Sequence, residues 1–317
     1  MEESGFLSRT CPVCGGAPPP AVEVRSETSA ESLDFTALVP YWNGFFKEKV
    51  FFPYSRCRGC GLLYAPIFFN RSQLERLYAQ MEPNMSEVPL EALRRTQYGY
   101  FEALKSCSHL EGGFIEVGPD IGLFTENCVR EGRFDEYWLF EPNRDALPAL
   151  SKVVEGRTFH VIHDMFGFSK LPERAASVAV LIQVLDHLLD PVGTLRALRQ
   201  RMSSGAKLLL VTHDESSLLR RLVGWKWPAF CLQHPQIYSP QSICALLDAA
   251  GFEVLQQRKT VNFFQISYLV KHLLWAFGWK VRSVPGFGQL TIGLKLGNML
   301  TIATPKAEGK NVPTSAP

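Results

Sequence analysis

The chain contains no uninterrupted stretch of about eighteen apolar residues, the length a membrane-spanning helix requires. It does not open with a cationic segment followed by an apolar one, as a secretory signal would. A cytoplasmic location is expected on these grounds. An excess of one charge is also missing: 33 lysines and arginines face 31 aspartates and glutamates, for a net charge of +2. Nothing in that balance points to a nucleic-acid partner. Internal repeats are absent, and no apolar run leads into G-x-G-x-x-G, the loop that hugs a dinucleotide pyrophosphate. What remains is ordinary globular composition, 46% apolar and 20% charged over 317 residues. That suffices for one large domain or two smaller ones with a sizeable core.

Eight cysteines in such a chain are expected to be reduced or metal-bound, because disulfides are rare in the cytoplasm. Four are regularly spaced, in Cys11-Pro12-Val13-Cys14-Gly15 and Cys57-Arg58-Gly59-Cys60-Gly61. The two-residue spacer lets both thiolates of each knuckle face one ion, and the glycine permits the turn. Two knuckles then close a tetrahedral shell around Zn²⁺, with no open position for catalysis. Four free thiols, a rubredoxin-like iron site or a redox pair are the alternatives. The other cysteines, Cys107, Cys128, Cys231 and Cys244, read as small hydrophobes. The aromatic-rich insertion around Trp42, Phe51 and Phe52 is expected to pack on the ribbon or roof a neighbouring site.

Farther on, the apolar strand Phe114-Ile115-Glu116-Val117 runs into Gly118-Pro119-Asp120-Ile121-Gly122, and Tyr137-Trp138-Leu139-Phe140 delivers Glu141 with Pro142 beside it. Strand, glycine turn, helix, strand and acid describe a nucleotide pocket in which the acid receives the ribose hydroxyls. Each charge-assisted bond there is worth roughly 1.5–3 kcal/mol. The acid two residues before the first glycine suits a cationic ligand bearing an amino group. Strand signals at 114–117, 136–140, 159–162, 178–182 and 206–212 alternate with helix signals at 122–131, 144–152, 191–202 and 240–250. This pattern specifies an α/β fold with a doubly wound, Rossmann-like parallel sheet. Helices are also expected over 71–78 and 90–104, with Pro83 and Pro89 between them.

From about residue 90 to 260 the chain resembles the class I S-adenosylmethionine-dependent methyltransferases. The resemblance implies a seven-stranded sheet whose antiparallel end lies at Phe252-Glu253-Val254-Leu255, and a closing strand over Leu294 to Thr301. It also implies that Glu116 lies near the methionine moiety, that Gly118 and Gly122 make room for it, and that Glu141 holds the ribose. Asp120 stands where a middle glycine is usual, which would narrow the pocket. Asp164 matches the acid that accepts from the adenine amino group, with the Met165 amide beside it; a helix N-cap is the alternative. Gln183 opens a run through Asp186-His187 to Asp190-Pro191 that looks like a family landmark. An N-terminal ribbon of this kind recurs in methyltransferases of sugar and polysaccharide pathways.

Methyl transfer to a hydroxyl needs a proton acceptor, and three histidines lie at ends of predicted elements: His187, His213 and His234. His234, before Tyr238-Ser239, is the leading candidate for base or acceptor anchor, and a packing role is the alternative for each. The expected organisation is a ribbon with its insertion over 1–68, the methyltransferase domain over 69–258, a cap or closing segment over 259–306 and a disordered tail over 307–317. Val261 to Trp279 reads as an amphipathic cap, a core helix or a peripheral membrane contact. The activity implied is methyl transfer from S-adenosyl-L-methionine to a small acceptor, namely a sugar, nucleotide sugar or glycan. A nicotinamide oxidoreductase and a catalytically silent nucleotide-binding adapter are the rivals.

Overall fold

The computed structural model describes residues 5–42, 49–79, 89–164, 168–276, 279, 281, 284 and 290–307. Helices α1 (Arg71–Ala79) and α2 (Leu90–Lys105) lead into β1 (Glu111–Val117), α3 (Leu123–Glu131), β2 (Arg133–Phe140), α4 (Leu147–Val153) and β3 (Phe159–Ile162). Then come β4 (Ala176–Ile182), α5 (Pro191–Arg201), β5 (Met202–His213), α6 (Leu218–Val223) and α7 (Pro240–Ala250). Strand β6 (Phe252–Lys259), helix α8 (Ile266–Ala276) and β7 (Asn298–Pro305) follow. The seven strands form one sheet in the order β6-β7-β5-β4-β1-β2-β3. Neighbours from β5 to β3 are parallel, and β7 runs antiparallel to both β5 and β6. Among the described residues, no helix is long and apolar enough to cross a membrane.

A parallel sheet must be covered on both faces. One face buries Ile115, Val117, Phe140, Leu181, Leu208 and Leu210 against α5 and α7. The other buries Phe114, Tyr137, Leu139, Val180 and Leu209 with Phe101 of α2 and Phe124 of α3. Helix ends follow local chemistry. Asp190 caps α5 by accepting from the Gly193 amide at 2.8 Å, with Pro191 at the first helical position. Ser239 and Ser242 form a reciprocal capping box on α7. Its far end closes on Gly251 at φ 85°, a left-handed position glycine occupies without strain.

Several expected boundaries move. Strand β1 begins at Glu111, earlier than expected, because Gly113 lets the Ala175 carbonyl oxygen come within 2.3 Å of where a Cβ would stand. Strand β5 begins at Met202, which pairs with Ala176. The strand beginning at Phe252 lies at the antiparallel end of the sheet, as expected, where β7 over 298–305 is inserted between β5 and β6 and runs antiparallel to both. The closing strand expected over 294–301 is interrupted at Gly297, whose φ of 121° ends the extended run. Leu294 instead ends a short strand, Thr291–Leu294, that pairs with Asn262–Gln265. The first strand of this pair lies on α2, where the Phe263 amide donates to Thr96 and the Arg95 guanidinium sits 4.1 Å from the Phe263 ring centroid. Within the Val261 to Trp279 segment, Asn262–Gln265 is a strand and Ile266–Ala276 a helix, and the described side chains of α8 are half-buried. Met165, most of the stretch around Pro83 and nearly all of the tail lie outside the described residues.

The amino-terminal segment is woven into the larger domain. Leu63–Tyr64 is the middle strand of a small sheet, with Ser55–Arg56 on one side and Gln236–Ile237 on the other. Arg9, buried, donates to the carbonyls of Leu189 and Pro235 and to the Gln236 side chain. Gln236 in turn donates to the carbonyls of Leu185 and Leu188.

Candidate active site

Ligands of open parallel sheets bind outside the carboxyl ends of the strands, where the strand order reverses. Here that point lies between β1 and β4. Gly118, leaving β1, has φ 69°, and a Cβ there would stand 2.7 Å from Val184 Cγ2. Asp120 holds the left-handed conformation at φ 52°, as aspartate can at modest cost, so the turn forms without the usual glycine. Gly122, at φ 81°, starts α3.

Glu141, at the end of β2, is 7% exposed and accepts from the Asp120 amide at 3.0 Å and the Asn143 amide at 2.8 Å. Burial pushes its carboxyl upward, opposed by those two amides. A carboxylate offers about four acceptor positions, so about two remain for a ligand. Pro142 beside it is exposed. His163, which no sequence signal singled out, bonds the Glu141 carbonyl at 2.9 Å and borders the exposed Asp164.

Glu116 lies beneath the loop. It is 2% exposed, and the Thr125 hydroxyl of α3 donates to its carboxyl. Burial pushes it up to about 8, with Thr125 opposing, and a cation bound nearby would draw it back. Gln183, leaving β4, is left-handed at φ 55°, and its amide donates to the Val211 carbonyl at 2.8 Å. Its buried side-chain oxygen has no hydrogen-bond partner among the described residues. An orphaned acceptor of this kind is one a bound molecule would satisfy.

Beside this crevice the three candidate histidines converge. The His213 and His234 ring centroids are 4.8 Å apart, and those of His187 and His234 are 4.7 Å apart. His213 Nδ1 bonds Asp186 Oδ2 at 2.8 Å, and the His213 amide donates to the same oxygen at 3.0 Å. Asp186 is wholly buried, while the His213 side chain is 23% exposed. This bond fixes the tautomer with the proton on Nδ1 and leaves Nε2 as an acceptor. Desolvation lowers the His213 pKa, only partly opposed by Asp186.

His187 is also pushed down, by desolvation and by its two histidine neighbours, and the Tyr78 hydroxyl lies 3.4 Å from its Nδ1. His234 behaves oppositely. Desolvation is overcome by Cys231, whose sulfur is 3.4 Å from Nδ1, and by the Ala229 carbonyl at 2.7 Å, raising it to about 9. Its turn is pinned by the Tyr54 hydroxyl donating to the His234 carbonyl at 2.6 Å and by Lys49 donating to the carbonyls of Trp227 and Phe230. The Trp227 and His213 ring centroids are 5.9 Å apart, with the rings nearly perpendicular.

The four ribbon cysteines also meet. Cys11 and Cys60 sulfurs are 3.5 Å apart, Cys14 and Cys57 sulfurs 3.4 Å, and all four lie within 4.8 Å of one another. Gly15 and Gly61, both left-handed, close the knuckles by donating to the Cys11 and Cys57 carbonyls. A tetrahedral zinc with bonds of about 2.3 Å needs sulfurs about 3.8 Å apart, so the cluster fits such an ion.

The sequence model of a family described as "Methyltransferase domain" matches residues 92–257, more than half of the chain. The chain belongs to this methyltransferase family. S-adenosylmethionine is thereby its cofactor, and the nicotinamide rival falls. No curated protein matches it.

Solved structures similar to this methyltransferase include S-adenosylmethionine-dependent methyltransferases from three organisms. That from Methanosarcina mazei is 14% identical, with TM-score 0.45, over 65% of this chain and 98% of its own. The Leishmania major enzyme is 12% identical, with TM-score 0.46, over 85% and 82%. The Clostridium acetobutylicum enzyme is 8% identical, with TM-score 0.46, over 74% and 99%. The assignment of this methyltransferase rests on the family match and on its own seven-stranded sheet. Sequence reasoning missed Thr125, His163, Tyr78 and Trp227, which carry no motif and reach the site only through the fold.

Proposed function

We propose that the methyltransferase acts on a polyhydroxylated small acceptor, a sugar, nucleotide sugar or glycan, with His213 as the base. The observation that carries this reading is the convergence of three imidazoles at one point, one of them held by a buried aspartate. When bound, S-adenosylmethionine supplies an electrophilic methyl group and departs as a neutral thioether. Glu141 receives the ribose hydroxyls, Gly118, Asp120, Gly122 and Glu116 bound the methionine end, Gln183 offers its free oxygen, and Asp164 faces the adenine. His213 Nε2 takes the proton from the acceptor hydroxyl, or from an acidic carbon. Asp186 orients the ring and steadies the imidazolium that forms. His234, whose pKa Cys231 and the Ala229 carbonyl raise, suits an anchor for an acceptor oxygen, and His187, whose pKa burial lowers, offers a further hydrogen bond. Most of the acceleration then comes from positioning.

Incubation with methyl-labelled S-adenosylmethionine and a metabolite extract tests the acceptor class. Label should move to a sugar-bearing compound; label confined to amines, proteins or nucleic acids overturns the reading.

The four cysteines are proposed to hold one structural Zn²⁺, supported by their sulfur spacing and closed coordination shell. Purified protein should contain about one zinc per chain, and Cys57→Ser should lose the metal and melt at lower temperature. Metal-free wild type with normal stability sinks this assignment.

A further inference from the structure

Helix α6 already satisfies the core with one side: Leu219 and Val223 pack on the cluster of Phe51, Tyr54, Trp227 and Phe230. Yet Leu218 is 67% exposed and Leu222 75%, and among the described residues no large apolar side chain is more exposed than Leu222. Four positions apart, they lie on one side of the helix, with Arg221 between them. Half-buried Trp225 and exposed Lys226 follow in the next turn. Trp225 also packs on that cluster, whereas Leu218 and Leu222 form a second apolar stripe on the solvent side.

Its cations are uncompensated. Among the described residues neither Arg221 nor Lys226 meets a carboxylate. The acids nearby are already paired: Glu23 and Glu215 each bond Arg56 at 2.6 Å, and Glu23 also takes Arg220. Exposed leucines, a half-buried tryptophan with the Lys226 ammonium 5.7 Å from its ring centroid, and two cations that meet no carboxylate among the described residues together match the requirements of a negatively charged lipid surface.

We propose that α6, with the Trp225-Lys226 turn, seats this protein on an anionic membrane surface. A second copy fits less well. An isologous contact would set Arg221 against its own counterpart, and six residues offer far less than the roughly 800 Å² per partner of a stable interface. The seat adjoins the histidine cluster, since Ser217 caps α6 just past His213 and Trp227 touches His213. Docking here would hold the mouth of that cluster beside the lipid. The proposal stands whatever the acceptor is.

The test is cosedimentation of the full chain with extruded vesicles, one set of phosphatidylcholine and one also containing phosphatidylglycerol. Wild type should pellet with the anionic vesicles, less so at high salt. Leu218→Ser with Leu222→Ser should lower partitioning at least about tenfold. Arg221→Glu with Lys226→Glu should remove the preference for anionic lipid. Both double variants should keep the wild-type melting temperature, because the four side chains are exposed. No association of the wild type with either vesicle overturns the proposal. So does association unchanged in the leucine variant, or a wild-type dimer that the leucine variant turns into a monomer, which would make a second copy the occupant.

Discussion

Glu141→Ala should weaken S-adenosylmethionine binding by roughly 2–4 kcal/mol, about 30- to 700-fold. The carboxylate spends part of its acceptor capacity on the Asp120 and Asn143 amides and keeps the rest for the ribose. Removing it deletes two charge-assisted bonds at a carboxylate that is itself buried. It also releases the loop, so Glu141→Gln, which keeps one acceptor oxygen, should lose less. Asp164→Ala should have a smaller effect, because Asp164 is exposed. Calorimetric titration decides the matter. An unchanged dissociation constant in Glu141→Ala would place the ribose elsewhere and dissolve the proposed pocket.

The second large effect is kinetic. His213→Ala should lower the turnover number by about 10²–10⁴-fold with S-adenosylmethionine affinity nearly unchanged, the usual loss for a base acting on a hydroxyl. Asp186→Asn should also slow turnover, since the amide no longer favours the imidazolium. His234→Ala should raise the acceptor's KM more than it lowers kcat. The pH profile supplies an independent sign. A base must be neutral, and the His213 pKa lies below its ordinary value of 6.5. Activity should therefore hold at neutral pH and fall on acidification only below that value, and the fall should vanish from residual activity in His213→Ala. Wild-type turnover in His213→Ala beside a collapse in His234→Ala would return the base to His234.

Much of the cofactor side was legible in the sequence because local spacing dictates it. Gly118, Gly122 and Glu141 sit at the ends of elements that an apolar run announces, and the C-x-x-C-G knuckles announce themselves. The acceptor side was legible only in fragments. His187, His213 and His234 stood out one by one, but their meeting depends on β4 and β5 being neighbours and on the 227–238 turn folding back over them. The Asp186–His213 bond joins the ends of two adjacent strands, which no window of sequence contains. The C-terminal strand was misplaced because the apolar pattern runs through Gly297, and only that residue's φ marks the break. The exposed leucines of α6 escaped notice because leucine at helical spacing ordinarily means core.

The threading of the small amino-terminal sheet has a consequence for how the chain is made. Leu63–Tyr64 finds its partner strand at Gln236–Ile237, and Arg9 reaches a side chain 227 positions away. The part synthesised first is therefore among the last to acquire all its native hydrogen bonds, and closing so long a loop is slow. A nascent chain, or a fragment ending before residue 236, carries the Leu63–Tyr64 edge bare, and an unpaired apolar edge recruits other strands. Expressed alone, the ribbon should aggregate, whereas a chain extended past residue 237 carries its own cover for that edge.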